Sequence, residues 1–245
     1  MIAFIFTLTL RQLLRRRSTL VLVLLALTSV ILAVVFRISQ PDVEAQHWTA
    51  RVLYFGLVVT AVLPLTALLL GTSVLGDEFE DGTALYLLTK PLPRWQIVVP
   101  KIAAAWVLTT ALVLSSSVAG GLIALRGHGG SAIVAGFSVA IVIGALAYAT
   151  IFVLLSVMTN RALIIGLIYV FLWEGAITSI FPGTDYLSIR HCILGIARWI
   201  AGTPPQTFDA YVGGETALIL ILLAIVAGGA LANSKLEQFE VRESP

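Results

Sequence analysis

The sequence predicts an all-α polytopic membrane protein that forms a single transmembrane domain over residues 1–245. Hydrophobic residues make up 59% of the chain and charged residues only 11%, whereas a soluble domain averages about 25% charged residues. Six apolar runs approach or exceed the roughly 20 residues that a helix needs to cross a bilayer. These runs do not alternate between polar and apolar residues, which favours helices over the strands of a membrane barrel.

The six predicted transmembrane helices follow one another through mostly short links. The inner link Thr159–Arg161 has only three residues, so the fourth and fifth spans should form a close antiparallel hairpin. Glu174 makes the fifth run the least apolar for its length. The predicted spans are Leu20–Phe36, Val52–Leu75, Ile102–Leu125, Ala132–Met158, Ala162–Phe181 and Thr216–Ala232.

The segment before the first span has the pattern of an amphipathic helix that lies in the inner membrane interface. Apolar residues recur on one face at helical spacing: Ile2, Phe6, Leu10, Leu13 and Leu14. Basic residues would hold the helix against anionic headgroups: Arg11, Arg15, Arg16 and Arg17. A plain basic anchor that only sets topology is the alternative. A signal peptide is disfavoured because no small-x-small cleavage site follows and five more spans come after it.

The distribution of Lys and Arg predicts that both termini are cytoplasmic, because cytoplasmic segments carry the excess of these residues. With the N-terminus inside, the outer segments hold five of the 15 Lys and Arg residues, and the inner segments hold the rest. The five are Arg37, Arg51, Arg126, Arg190 and Arg198. The chain should therefore lie in the inner or plasma membrane.

The longest outer segment, residues 182–215, contains a predicted short helix over Tyr186–Ile200. The helix should lie on or dip into the outer interface and end near Gly202, where Thr-Pro-Pro follows. Catalytic and metal sites are not expected. The chain contains neither GxxxxGK[ST] nor HExxH, its three histidines fall on different outer loops, and one cysteine excludes a disulfide within the chain.

The inner loop Asp77–Lys101 is the most informative segment. It combines an acidic cluster with a leucine patch, and a short helix is predicted over Thr83–Thr89 with Leu87 and Leu88 on its apolar face. Pro91 should end that helix, while Pro93 and Pro100 stiffen the path back into the bilayer. An apolar patch in the cytoplasm usually has a partner, so the loop should bind another protein.

The loop sequence GDEFEDGTALYLLTKPLPRWQIVVPK, from Gly76 to Lys101, resembles a signature of ABC-2 type permeases, the membrane subunits of ABC transporters. The signature consists of an acidic cluster, Gly-Thr, a leucine patch, Pro-x-x-Arg and a Lys. Pro100 departs from it, because the family often has Gly before the Lys. Tyr169–Gly175, reading YVFLWEG, resembles the fifth span of small permeases of this family.

The resemblance implies that the loop carries a cytoplasmic coupling helix that docks on a separate ATP-binding subunit. The expected contact residues are Glu78, Glu80, Asp81, Gly82, Thr83, Leu85, Leu87, Leu88, Pro91 and Arg94. It also implies a second permease subunit, a partner that holds ATP and Mg²⁺, no cofactor on this chain, and export of an amphipathic or lipidic substrate. The alternatives are an ion-coupled secondary transporter, an intramembrane enzyme and a membrane scaffold without transport.

Glu174 is the only ionisable residue well inside a predicted span. Burying a carboxylate in a bilayer is costly, so such a residue marks a function or a buried partner. The sequence leaves several roles open: a hydrogen-bonding staple, a gate or substrate contact, or a proton site. Its partner is expected to be an outer-half hydroxyl, a basic residue such as Arg190 or Arg198, or its counterpart across a dimer interface.

Overall fold

The computed structural model describes residues 2–15, 17–39, 44–80, 93–181, 183–202, 208 and 210–242, and this part of the chain is helical without strands. The first half contains α1 (Ile2–Arg15), α2 (Arg17–Ser39), α3 (Ala45–Trp48), the π-helix π1 (Thr49–Val62), α4 (Leu63–Glu80) and α5 (Trp95–Ala124). The second half contains α6 (Ser131–Met158), α7 (Ala162–Ile168), the π-helix π2 (Tyr169–Ile177), α8 (Thr178–Ile180), a 3₁₀ turn (Thr184–Leu187), α9 (Ile189–Ala201) and α10 (Gly214–Arg242).

Five helices in the described part of the chain are long and apolar enough to cross a membrane. They are Ser18–Ser39, Ala45–Val74, Trp95–Ala124, Ser131–Met158 and Gly214–Leu236. They overlap the first four predicted spans and the last one. The predicted span Ala162–Phe181 corresponds to a shorter apolar helix, Ala162–Ile177, so a count of six spans stays a prediction.

The helix α6 is the centre of the bundle, packing against α4, α5, α9 and α10. Its Phe137 ring stacks on Tyr54 of π1 with 4.5 Å between the ring centroids. The Tyr54 hydroxyl donates to the carbonyl oxygen of Ser117 at 3.1 Å, which satisfies a buried polar group. The spans α2 and α10 bury the smallest share of their residues and thus leave the most apolar surface for lipid or a partner.

The helix predicted over Tyr186–Ile200 is present as α9, which starts at Ile189, and Gly202 ends it in a left-handed conformation (φ 59°). Its place on the outer side of the membrane stays a prediction. The helix is packed into the bundle, because every residue from Ile189 to Ala197 is buried. Two glycines allow this close approach. A Cβ atom at Gly136 of α6 would lie 2.5 Å from the Ala197 carbonyl oxygen, and one at Gly195 would lie 2.5 Å from that of Val212.

The N-terminal helix α1 forms where it was predicted and packs on α5 and α4. The residues buried in this contact are Ile5, Thr9 and Leu13, which share one face at a spacing of four. Leu14 of the predicted apolar face is 53% exposed, as a residue that faces lipid would be. The contact of this face with the membrane interface stays a prediction.

Candidate functional site

Two places in the bundle contain buried ionisable side chains that bond to a neighbouring helix: the surroundings of Glu174, and the base of the loop between α4 and α5. Glu174 lies on π2 and is 3% exposed. Its Oε1 accepts from the Tyr169 hydroxyl at 2.9 Å and from the Ile189 N–H at 3.0 Å. Its Oε2 accepts from the Ser188 hydroxyl at 2.5 Å and from the Arg190 N–H at 3.3 Å. Four donors thus satisfy this buried carboxylate.

Glu174 caps the N-terminus of α9. The first N–H groups of a helix have no partner within the helix, and a negative charge is stabilised there. Ser188 is the N-cap residue, and its hydroxyl oxygen accepts from the His191 N–H at 3.3 Å while donating to Glu174. Both side chains therefore anchor the start of α9 to π2.

The expected hydroxyl partner of Glu174 is present, but neither Arg190 nor Arg198 pairs with it through a guanidinium group. Nη2 of Arg190 lies 3.4 Å from the Thr178 hydroxyl and 3.4 Å from Nε2 of His191. Its guanidinium carbon sits 5.5 Å from the centroid of the Phe55 ring, within cation–π range. Arg198 instead donates to the Ala210 carbonyl at 3.3 Å. The two backbone N–H groups of α9 take the places that basic side chains were expected to fill.

His191 and Cys192 complete the first turns of α9. Burial lowers the pKa of His191, Arg190 adds to this effect, and Asp185, whose Oδ1 is 3.4 Å from Nε2, opposes it. Burial also raises the pKa of the Cys192 thiol to about 12. Both residues therefore favour their neutral forms.

Most of the predicted contact residues of the loop lie outside the described residues: Asp81, Gly82, Thr83, Leu85, Leu87, Leu88 and Pro91. Glu78 and Glu80 lie on the last turn of α4, but their side chains are not described. Arg94 occupies the N-cap position of α5 and is 4% exposed. Docking of a partner on these residues, and the helix Thr83–Thr89, stay predictions.

The chain returns towards the bilayer as a helix. Helix α5 begins at Trp95, seven residues before the predicted span at Ile102, and Pro100 lies inside it. A proline inside a helix removes one backbone hydrogen bond and costs about 3 kcal/mol. Here Ile97, Val98 and Pro100 are buried, and this packing holds the first turns in a helix despite the proline.

The structural role of Lys101 was not predicted from the sequence, in which the residue stands out only as a cytoplasmic charge and as the last residue of the signature. Its side chain is 1% exposed, and Nζ donates to the Val74 carbonyl oxygen of α4 at 2.8 Å. Ser188 was missed too, although a serine directly before a periodic apolar segment is a known start signal for a helix. Lys101 offered no such signal, because a basic residue at the end of a span normally reaches water.

The family described as "ABC-2 family transporter protein" matches residues 11–182. The match covers well over half of the chain and includes both α4 and α5, the loop between them, and Glu174. The chain belongs to the ABC-2 transporter family. A search of the curated proteins found no match. The region of this ABC-2 transporter protein that matches the family ends at residue 182. It therefore includes Glu174 but not α9, the helix that Glu174 caps.

Proposed function

We propose that this ABC-2 family protein is the transmembrane permease subunit of an ATP-driven transporter, with ATP and Mg²⁺ bound by a separate subunit. The observation that carries the proposal is the family match across the loop between α4 and α5. The given sequence has no P-loop motif, so in this proposal ATP binds to a separate subunit. The loop Asp77–Lys101 is the longest inner connection and carries the leucine patch that suits such a partner.

In the proposed mechanism two permease subunits form the pathway and two ATP-binding subunits dock on the cytoplasmic side. ATP binding closes the ATPase pair and displaces the coupling helices, and the two bundles switch access between the membrane sides. Six spans with both termini cytoplasmic belong to this proposal. The apolar composition of the spans favours export of an amphipathic or lipidic substrate, since a mostly apolar lining offers few groups to a hydrophilic solute.

The Glu174 site supports this proposal over an ion-coupled secondary transporter. An ion-coupled transporter needs ionisable groups that gain and lose a proton or a cation during the cycle. Both carboxylate oxygens of Glu174 are already engaged by two donors each. This arrangement suits a fixed structural anchor of α9 better than a site that is vacated in each cycle.

The test is purification of the tagged full-length chain from its native membrane, followed by identification of bound proteins by their sequence. We expect a protein with a P-loop to remain bound, and the complex in lipid nanodiscs to hydrolyse ATP. Replacing the P-loop lysine of that partner should abolish hydrolysis without releasing it. A purified chain that carries no ATP-binding subunit would contradict the proposal and favour the ion-coupled transporter or the scaffold.

A further inference from the structure

Arg190 is a buried guanidinium that has no carboxyl partner in the described part of the chain. The residue lies in the first turn of α9 and is 9% exposed. Its Nη2 lies 3.4 Å from the Thr178 hydroxyl and 3.4 Å from Nε2 of His191, and its buried Nε has no hydrogen-bond partner. Because a guanidinium has five N–H donors in a planar fork and stays charged, such incomplete bonding is costly in a buried place. It indicates a ligand that supplies the missing acceptors.

Asp185 approaches the same histidine nitrogen as Arg190. Its Oδ1 lies 3.4 Å from Nε2 of His191, so it can be no further from Nη2 of Arg190 than twice that distance. Within the described residues the two side chains do not form a salt bridge with each other. His191 also has a buried Nδ1 without a hydrogen-bond partner. A guanidinium and a carboxyl group therefore meet at one imidazole ring, and one small ligand can reach both.

Glu174 does not serve as the counterion of this guanidinium. It accepts only the backbone N–H of Arg190, at 3.3 Å, and its other hydrogen bonds come from three further donors. The Thr178 hydroxyl that Arg190 contacts donates to the Glu174 carbonyl at 2.9 Å. These bonds hold the guanidinium beside π2 and give it no carboxylate of its own.

Exposed aromatic and apolar side chains lie next to this polar group. The Tyr211 ring is 67% exposed, and its centroid lies 5.8 Å from that of His191. Tyr186 and Leu187, which directly follow Asp185, are also exposed. Tyrosines are enriched where a membrane meets water, at the depth of lipid headgroups. A ligand that joins an apolar part to a compact polar group matches this combination.

We propose that Arg190 and Asp185 bind the zwitterionic headgroup of a membrane phospholipid of the phosphatidylethanolamine type. The planar fork of a guanidinium suits two oxygens of one phosphate, and the ammonium group, two carbons away, donates to the Asp185 carboxylate. The acyl chains lie along the exposed Leu187 and Tyr211. A lipid without an ammonium leaves Asp185 unused, and a free phosphate leaves the apolar side chains unused. Headgroup binding needs no ATP-binding partner, so this inference stands apart from the proposed function.

The experiment titrates the full-length protein, purified in detergent, with three probes and determines each dissociation constant by native mass spectrometry. The probes are dihexanoyl-phosphatidylethanolamine, dihexanoyl-phosphatidylglycerol, which has the phosphate but no ammonium, and O-phosphoethanolamine, which has the headgroup but no chains. Arg190→Gln and Asp185→Asn are compared with Arg198→Gln. The matched control removes a guanidinium from the same helix, where it donates to the Ala210 carbonyl at 3.3 Å. The unfolding midpoint of each variant is measured in parallel.

We expect the wild type to bind the phosphatidylethanolamine about tenfold more tightly than the phosphatidylglycerol, which corresponds to one hydrogen bond between charged groups. Asp185→Asn should remove this preference and leave the affinity for phosphatidylglycerol unchanged. Arg190→Gln should weaken the binding of both lipids by about tenfold, and Arg198→Gln should alter neither. A role of Asp185 in folding alone would not change the ratio of the two affinities.

Equal affinity of the wild type for the two lipids would overturn the proposal, and so would a preference that Asp185→Asn retains. Binding of O-phosphoethanolamine as tight as that of the lipid would also overturn it, since the site would then take a soluble zwitterion. Asp185 lies in the 3₁₀ turn and is only partly buried, so its variant decides the matter even where Arg190→Gln does not fold. A chain that lacks an ATPase would contradict the proposed function without changing these affinities.

Discussion

At the scale of single residues, two buried ionisable side chains of this protein hold helices together. Glu174 and Lys101 are each almost fully buried, and each bonds to the backbone of a neighbouring helix. Glu174 accepts from the N-terminal N–H groups of α9, and Lys101 donates to a carbonyl of α4. Because a backbone group has a fixed direction, such bonds define the position of one helix relative to another more closely than apolar packing does.

Glu174→Gln should preserve assembly, whereas Glu174→Leu should impair folding or transport. Glutamine keeps one acceptor oxygen, so its loss is about one hydrogen bond, roughly 1–2 kcal/mol. Leucine leaves the buried Ile189 and Arg190 N–H groups without an acceptor and should cost about 3 kcal/mol or more. The measurement is the monodisperse fraction in size-exclusion chromatography after heating. Identical behaviour of wild type and the leucine variant would show that the hydrogen bonds of Glu174 do not contribute to the stability of the protein.

His191 should make the contact between α9 and the residues around Glu174 less stable at acidic pH. The pKa of His191 is lowered in the folded protein, mainly by burial. The unfolded chain therefore binds a proton more readily, and stability falls as the pH drops below about 6.5, the ordinary histidine value. We expect the unfolding midpoint to decrease from pH 7.5 to pH 5.0, and to decrease less in His191→Gln. An equal decrease in both proteins would assign the effect to other groups.

At the scale of elements, the long apolar helices were predictable from hydropathy, and their surroundings were not. The link Thr159–Arg161 and the end of α9 at Gly202 follow from local sequence signals and are confirmed. Hydropathy does not reveal that α9 is enclosed by the bundle, because its sequence is amphipathic and suits an interface equally well. The partners of Glu174 are 5 to 16 residues away along the chain, and no periodic pattern connects residues at those separations.

The start of α5 shows a second limit of local rules. Proline usually marks the end or the first turn of a helix, and the apolar run that predicts the third span starts only at Ile102. The observed helix begins at Trp95 because Ile97 and Val98 find apolar partners on α6 and α10. Those partners lie more than 50 positions away in the sequence and could not be recognised without the fold.

The leucine patch of the loop should be the main attachment site of the ATP-binding subunit. Replacing Leu87 and Leu88 by Asp places two charges on the predicted apolar face, which should release the ATPase while the spans insert normally. The matched control is the double variant Tyr86→Asp and Thr89→Asp, which adds the same charge away from that face. Co-purification and ATP hydrolysis are measured for each. Normal binding by the Leu87/Leu88 variant would place the docking site elsewhere, with α1 as the next candidate.

At the scale of the whole molecule, the bundle has two ends with different construction. One end carries the Lys101–Val74 hydrogen bond, the loop and α1, and the other carries the Glu174 anchor and a tight turn. In that turn Arg37 donates to the Arg126 carbonyl at 2.7 Å, and Gln46 donates to the His128 carbonyl at 3.0 Å. Both ends are thus fastened across helices, and α6 connects them through the core.

The predicted orientation places the loop in the cytoplasm and the tight turn outside. In a background without Cys192, single cysteines at Asp42, Ser131 and Asp209 should react with an impermeant reagent added outside, and cysteines at Asp81 and Glu240 should not. Ser131 is preferred to Gly129, whose φ of 69° would strain any other residue. Lysed cells serve as the control, in which all positions should react. Labelling at Asp81 in intact cells would reverse the orientation.

The close approach of α9 to α6 has a consequence for genetics. No side chain fits between Gly136 and the Ala197 carbonyl, so even an added methyl group would act as a wedge and push the outer helix away from the core. In a mutational survey scored by transport, Gly136 and Gly195 would therefore stand out as strongly as Glu174, although neither glycine has a chemical group to contribute. Sensitivity to substitution in this region reports the fit of α9 as much as the position of the substrate pathway.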